Sequence, residues 1–219
     1  MVLVGSAKAR RWYLRGTWLV ACAGVGLQVW ITTTTVLGQG RPWWDAVGVL
    51  LGYFTVTTNL LVAVVLTVDV SGRAPRQRWW ISVESAVAMY IAVVGMVFHF
   101  LLREYVDSVG AQLVASEWLH YVNPVLFVAW WLLFVEKGRL RRMDAVWWMA
   151  YPAAYAITAL VRGAITGFYP YWFVNVTMFG YARVAVNSLG FTAAFLVLAL
   201  VVVWIDGVIA RRVNPIHAR

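Results

Sequence analysis

The chain has 219 residues, of which 63% are hydrophobic and 12% charged, with a formal net charge of +9. Soluble domains are close to half apolar and a quarter charged, so this composition excludes an ordinary soluble domain and predicts an all-α integral membrane bundle. The basic excess does not indicate a nucleic-acid partner, because 14 of the 18 Lys and Arg residues fall into four short clusters between or beside apolar runs.

Taken in chain order, the apolar blocks predict six spans, at about 16–38, 46–69, 81–102, 116–135, 145–162 and 183–206. Almost nothing remains for a second domain, so residues 1–219 are expected to form a single transmembrane bundle. The first cluster, Lys8/Arg10/Arg11/Arg15, precedes span one, and Arg73/Arg76/Arg78 separates spans two and three. Lys137/Arg139/Arg141/Arg142 separates spans four and five, and Arg211/Arg212/Arg219 follows span six. Six spans place all four clusters on one face. Lys and Arg are retained on the cytoplasmic side, so both termini are expected there. The pairs Trp43–Trp44, Trp79–Trp80 and Trp147–Trp148 suit the interfacial aromatic belt. Cys22 is the only cysteine, which excludes an intrachain disulfide, and no His/Asp/Glu grouping has the spacing of a metal site. His217 falls in the C-terminal tail and carries no assignment.

Span two carries "YFTVTTNLL" at 53–61, which sets Thr55, Thr57, Thr58 and Asn59 in a run otherwise suited to lipid. At about 1.5 Å per residue, a straight span two places Thr55 roughly 13 Å below the outer boundary. On that straight helix Gly48, Gly52, Thr55 and Asn59 share a stripe, at steps of 4, 3 and 4. Span three ends near His99, span four begins near Glu117 and His120, and span five ends at Arg162. All of these polar groups are thus expected in the outer half of the bilayer. Ionisable groups inside a membrane are costly and mark function, so convergence at one depth predicts a shared polar pocket. Span five adds a stripe of Tyr151, Tyr155, Thr158 and Arg162, and span four carries Glu117, His120 and Pro124. The 20 residues "GAITGFYPYWFVNVTMFGYA" between spans five and six are too broken by Gly and Pro to read as another span.

Three segments together, "YFTVTTNLL", "WLHYVNPVLF" and "YPAAYAITALVRGAITGFYPYWF", resemble bacterial members of the androgen-induced/androgen-dependent membrane hydrolase family, over about residues 45–185. The resemblance implies six membrane helices. It also implies an intramembrane threonine hydrolase, since the animal members cleave fatty acid esters of hydroxy fatty acids with a Thr and a His. Carried onto this chain, the nucleophile matches Thr55 and the histidine matches His120, with Thr58 a rival for the nucleophile. The expected substrate is then a lipid or fatty acyl ester, with no cofactor.

That chemistry is consistent with the residue types. A threonine hydroxyl needs an adjacent base, and a neutral imidazole is the usual one. Asn59 and Arg162 are candidate oxyanion donors, Arg162 a candidate partner for a substrate carboxylate, and Glu117 a candidate to orient the His120 ring. Two readings from other classes compete. One is a b-type haem protein with His99 and His120 as axial ligands. The other is a small channel or transporter with Arg162 in its pathway.

Overall fold

The computed structural model describes residues 6–75 and 77–213. Arg76, His217 and Arg219 lie outside the described residues. Within them the chain is helical, with no strand. Three helical stretches are long and apolar enough to cross a membrane, Ala7–Gly38, Arg78–Tyr105 and Val176–Arg212, and the bent pair Trp43–Leu51 and Phe54–Val70 makes a fourth only if it counts as one span.

Helix α1 (Ala7–Gly38) begins at Ser6, whose hydroxyl accepts from the Ala9 amide at 3.3 Å, relieving one of the unpaired donors of the first turn. It packs along α3 (Phe54–Val70) and also meets α2 (Trp43–Leu51) and α6 (Asn123–Phe134). Helix α4 (Arg78–Val97) is the most enclosed element, with α3 and α6 against it. Val62, Leu66, Met89, Ile91, Phe127 and Trp130 form the buried centre.

The single span expected at 46–69 is broken. Helices α2 and α3 meet at 90°, with Gly52 and Tyr53 between them and Tyr53 extended at φ −108°, ψ 128°. A break of this kind exposes the carbonyls that end one helix and the amides that begin the next. Two side chains of α8 (Ala150–Thr166) cover the carbonyls. Arg162 Nη1 donates to Gly48 O at 2.7 Å, and the Tyr155 hydroxyl donates to Gly52 O at 2.9 Å. A Cβ on Gly52 would overlap the Arg162 guanidinium as it lies here, so a side chain there would push the end of Arg162 off the Gly48 carbonyl. The expected stripe from Gly48 to Asn59 therefore does not exist, and neither does the depth calculated along a straight helix.

The segment around His120 is also not a regular α-helix. Helix α5 (Gly110–Glu117) runs into a π-helical turn, Trp118–Val122, and then into α6. Pro124 has no N–H to offer the carbonyl of residue 120, four positions back, and the helix widens there. A second π turn, Phe98–Leu102, ends α4. The two approach closely: a Cβ on Gly95 would lie 3.0 Å from His120 O.

Helix α8 is preceded by the short helix α7 (Arg142–Trp147), which Asp144 caps by accepting from the Arg141 amide at 2.7 Å while also pairing with Arg78. Gly167, at φ 73°, ends α8. Helix α9 (Val176–Val213) is interrupted at Gly180, whose φ of 73° and ψ of 161° only glycine adopts without strain. The link between α8 and α9 holds a short 3-10 turn, Trp172–Val174, packed against α9, while residues 176–182 of the segment expected not to span belong to α9 itself.

Candidate functional site

Thr55 is the second residue of α3, in the turn created by the break. Its Oγ1 lies 3.2 Å from His120 Nε2. The other ring nitrogen, Nδ1, lies 2.8 Å from the Ser116 carbonyl. A carbonyl only accepts, so Nδ1 carries the proton and Nε2 presents its lone pair to the Thr55 hydroxyl, which donates. This is the tautomer a general base requires. The ring is fixed further by stacking on Phe98, with centroids 3.8 Å apart and planes 14° from parallel. Two residues distant in sequence, 55 and 120, are thus brought to contact by a break in one helix and a π turn in another.

Thr58 does not share this base. Its hydroxyl is buried and lies 3.0 Å from the Tyr151 hydroxyl, which is also 2.8 Å from Thr57. Of the two candidate nucleophiles, only Thr55 faces an imidazole. Thr57 also donates back to the Tyr53 and Phe54 carbonyls, the usual behaviour of threonine in a helix.

The other expected site residues make different contacts. Asn59 is not free to donate to an oxyanion. Its amide nitrogen is taken by the carbonyls of Thr55, at 2.8 Å, and Leu119, at 3.2 Å, while its oxygen accepts from Asn123 at 2.8 Å. It is a brace that ties α3 to the π turn carrying His120. For His120 Nδ1 it is the Ser116 carbonyl, at 2.8 Å, and not the Glu117 carboxylate, that stands at hydrogen-bond distance. Arg162 holds the Gly48 carbonyl and lies over the Phe168 ring at 4.9 Å, so its guanidinium secures the helix break. For the haem reading, His99 Nδ1 meets the Tyr121 hydroxyl at 3.1 Å, and both His120 nitrogens are engaged as described, which leaves His120 no free nitrogen to serve as an axial ligand.

Thr55 opens onto a cavity of about 160 Å³ enclosed by α4, α8, the 172–174 turn and α9. Its walls are hydrocarbon and aromatic, among them Val93, Val97, Ala156, Phe191 and Phe195. Tyr171 stands at the Thr55 end. The Thr55 backbone N–H donates to its hydroxyl oxygen at 3.4 Å, a long bond, and its ring stacks on Phe173 at 5.3 Å and 6°. The Thr55 amide belongs to the first turn of α3, where the helix supplies no acceptor and the dipole is positive. Sequence reasoning missed Tyr171, Ser116 and Asn123. Tyr171 lay in a link without periodicity, and Ser116 acts through a carbonyl that every residue possesses. Asn123, three residues after His120, was the one signal that could have been followed.

Comparison of the chain with protein-family models, with curated proteins and with solved structures finds no match. The three sequence motifs alone carry the family resemblance.

Proposed function

We propose that this chain is an intramembrane lipid-ester hydrolase of the bacterial plasma membrane, with six spans, both termini cytoplasmic and the catalytic pocket in the outer half. The observation that carries the reading is the 3.2 Å contact between Thr55 Oγ1 and an imidazole nitrogen whose partner nitrogen is bound to a carbonyl. The substrate is an acyl ester, such as a fatty acid ester of a hydroxy fatty acid, whose chain lies in the apolar cavity behind Thr55.

Thr55 Oγ1 attacks the ester carbonyl as its proton passes to His120 Nε2. The resulting oxyanion is met by the Thr55 and Val56 amides of the α3 first turn and by the Tyr171 hydroxyl. Collapse breaks the bond to the alcohol oxygen, which takes the proton from His120 Nε2 and leaves as the hydroxy acid. Water then gives a proton to the same nitrogen and attacks the acyl-threonine, releasing the fatty acid and restoring Thr55. Ser116 O keeps the ring in one tautomer throughout. Phe98 and the hydrocarbon walls exclude bulk water, which strengthens each of these polar contacts.

The deciding experiment is hydrolysis of such an ester by purified protein, followed by release of free acid. Activity is expected in the wild type and absent in folded Thr55→Ala and His120→Ala. Full turnover in either variant would sink the reading.

A further inference from the structure

Far from Thr55, where α1 starts and α3 ends, a polar cleft of about 910 Å³ opens between α1, the α3–α4 turn and the residues that end α6. Its volume falls within the range of small-molecule sites. Arg10, Arg11 and Arg15 line its α1 wall, Arg11 and Arg15 one turn apart on the same face, and Asp69 of α3 and Glu84 of α4 form its acidic wall. These opposite charges remain apart. Arg10 is near enough to act on both carboxylates electrostatically, yet among the described residues neither Asp69 nor Glu84 forms an ion pair.

The acidic wall is built and incomplete. Glu84 is 6% exposed and its carboxyl is in hydrogen-bond contact with that of Asp69, which is half-buried. Asp69 Oδ1 accepts from the Trp80 indole at 3.0 Å, while Asp69 Oδ2 has no other donor among the described residues. A carboxyl pair that shares a proton still carries negative charge and leaves lone pairs without donors. A ligand that supplies donors to them and an anion to the arginines satisfies both walls at once.

We propose that this cleft binds the headgroup of an amine-bearing phospholipid of the phosphatidylethanolamine type. Its phosphate lies against Arg10, Arg11 and Arg15, for which forked guanidinium donors are suited. Its primary ammonium, with three N–H donors, lies against the Asp69–Glu84 pair. The Trp80 ring borders the cleft, and aromatic faces attract such cations. A choline headgroup offers the same phosphate but no N–H, and a glycerol headgroup offers phosphate without a cation, so the two walls are tested separately. The inference does not depend on hydrolase activity.

The test is native mass spectrometry of the delipidated full chain in detergent, titrated with phosphatidylethanolamine, phosphatidylcholine and phosphatidylglycerol of identical acyl chains. Wild type is expected to prefer the ethanolamine lipid over the choline lipid by about tenfold or more. Asp69→Asn/Glu84→Gln reduces that preference to about twofold and leaves phosphatidylglycerol binding intact. Arg10→Ala/Arg11→Ala/Arg15→Ala weakens both the ethanolamine and the glycerol lipid. Glu84→Gln alone, a neutral isostere, keeps the acidic-wall test available if the double variant does not fold. Equal binding of ethanolamine and choline lipids by wild type, or an unchanged preference in a folded acidic-wall variant, overturns the proposal. Soluble O-phosphoethanolamine is the control for the source: weak competition supports a lipid, and competition at equal affinity overturns the lipid assignment.

Discussion

Thr55 and Thr58 are one helical turn apart and chemically identical, and their neighbours alone give them different roles. Thr55 meets an imidazole lone pair, whereas Thr58 meets a phenol that is itself a weak acid. Thr58→Ala is therefore expected to keep hydrolysis within about tenfold of wild type, while Thr55→Ala loses at least about a thousandfold. Free-acid release from the purified, folded variants measures both. Tyr171→Phe removes a single hydroxyl beside the nucleophile. If that hydroxyl steadies the oxyanion, kcat falls by about a hundredfold with little change in KM, the usual effect of losing one such donor. An unchanged kcat assigns oxyanion stabilisation to the α3 amides alone. Asn59 shows the limit of reasoning from residue type: a buried amide beside a nucleophile has the right chemistry for a donor, but its hydrogen atoms are already committed to two carbonyls.

At the scale of elements, the organising feature is the break between α2 and α3. A helix interior would bury the Thr55 amide in an intrahelical bond, whereas a helix start leaves it pointing at the site. The polar stripe of α8 sustains the break, with Arg162 and Tyr155 on the freed carbonyls and Tyr151 on the threonines beyond. Gly52→Ala and Arg162→Met disturb the same contact. Each is expected to destabilise the folded protein by about 1–3 kcal/mol, and the double variant by less than their sum. Unfolding in mixed micelles gives the three values, and strict additivity would separate the two residues.

The turn after α6 makes a different pH-dependent prediction. Lys137 is buried, donates to the Trp131 and Val135 carbonyls and lies over the Trp131 ring at 4.5 Å. Burial holds its ammonium down at about 8, from an ordinary 10.5, against the opposing pull of the Asp206 and Glu84 carboxylates. Between these values the unfolded chain binds more protons at Lys137 than the folded one. Stability from this group is therefore expected to rise as pH increases from 8 to 10.5, and to be level below 8. Melting temperature against pH in wild type and Lys137→Met reads the difference between the two curves, and parallel curves would remove Lys137 as the cause.

For the whole molecule, the proposed six spans make a definite claim about sidedness. Cys22 is the only native cysteine, so a Cys22→Ala background allows a reporter cysteine to be placed at will. Asp107 lies in the exposed connection between α4 and α5, and Ser71 in the exposed turn after α3. A membrane-impermeant maleimide is expected to label Asp107→Cys on intact cells, and Ser71→Cys only after permeabilisation. The reverse pattern inverts the protein and places the Thr55 pocket toward the cytoplasm. The same experiment locates the headgroup cleft, which lies at the Ser71 end of α3.

Composition and spacing alone indicated a helical chain built for a membrane, because an apolar run of that length has few other stable solutions. They also marked Thr55, Asn59, His99, His120 and Arg162 as polar groups costly in such runs, while the pairing of Thr55 with His120 came from the family resemblance. The geometry of the site belongs to the tertiary structure. Hydropathy averages over about a span and passes unbroken through residues 51–54, while the break depends on side chains of α8 about a hundred residues away. Tyr171 and the Ser116 carbonyl likewise acquire their positions only when the link after α8 folds back and the helix around His120 widens. Periodicity reports which face of an element avoids water, and it holds no record of which distant group will arrive to meet it.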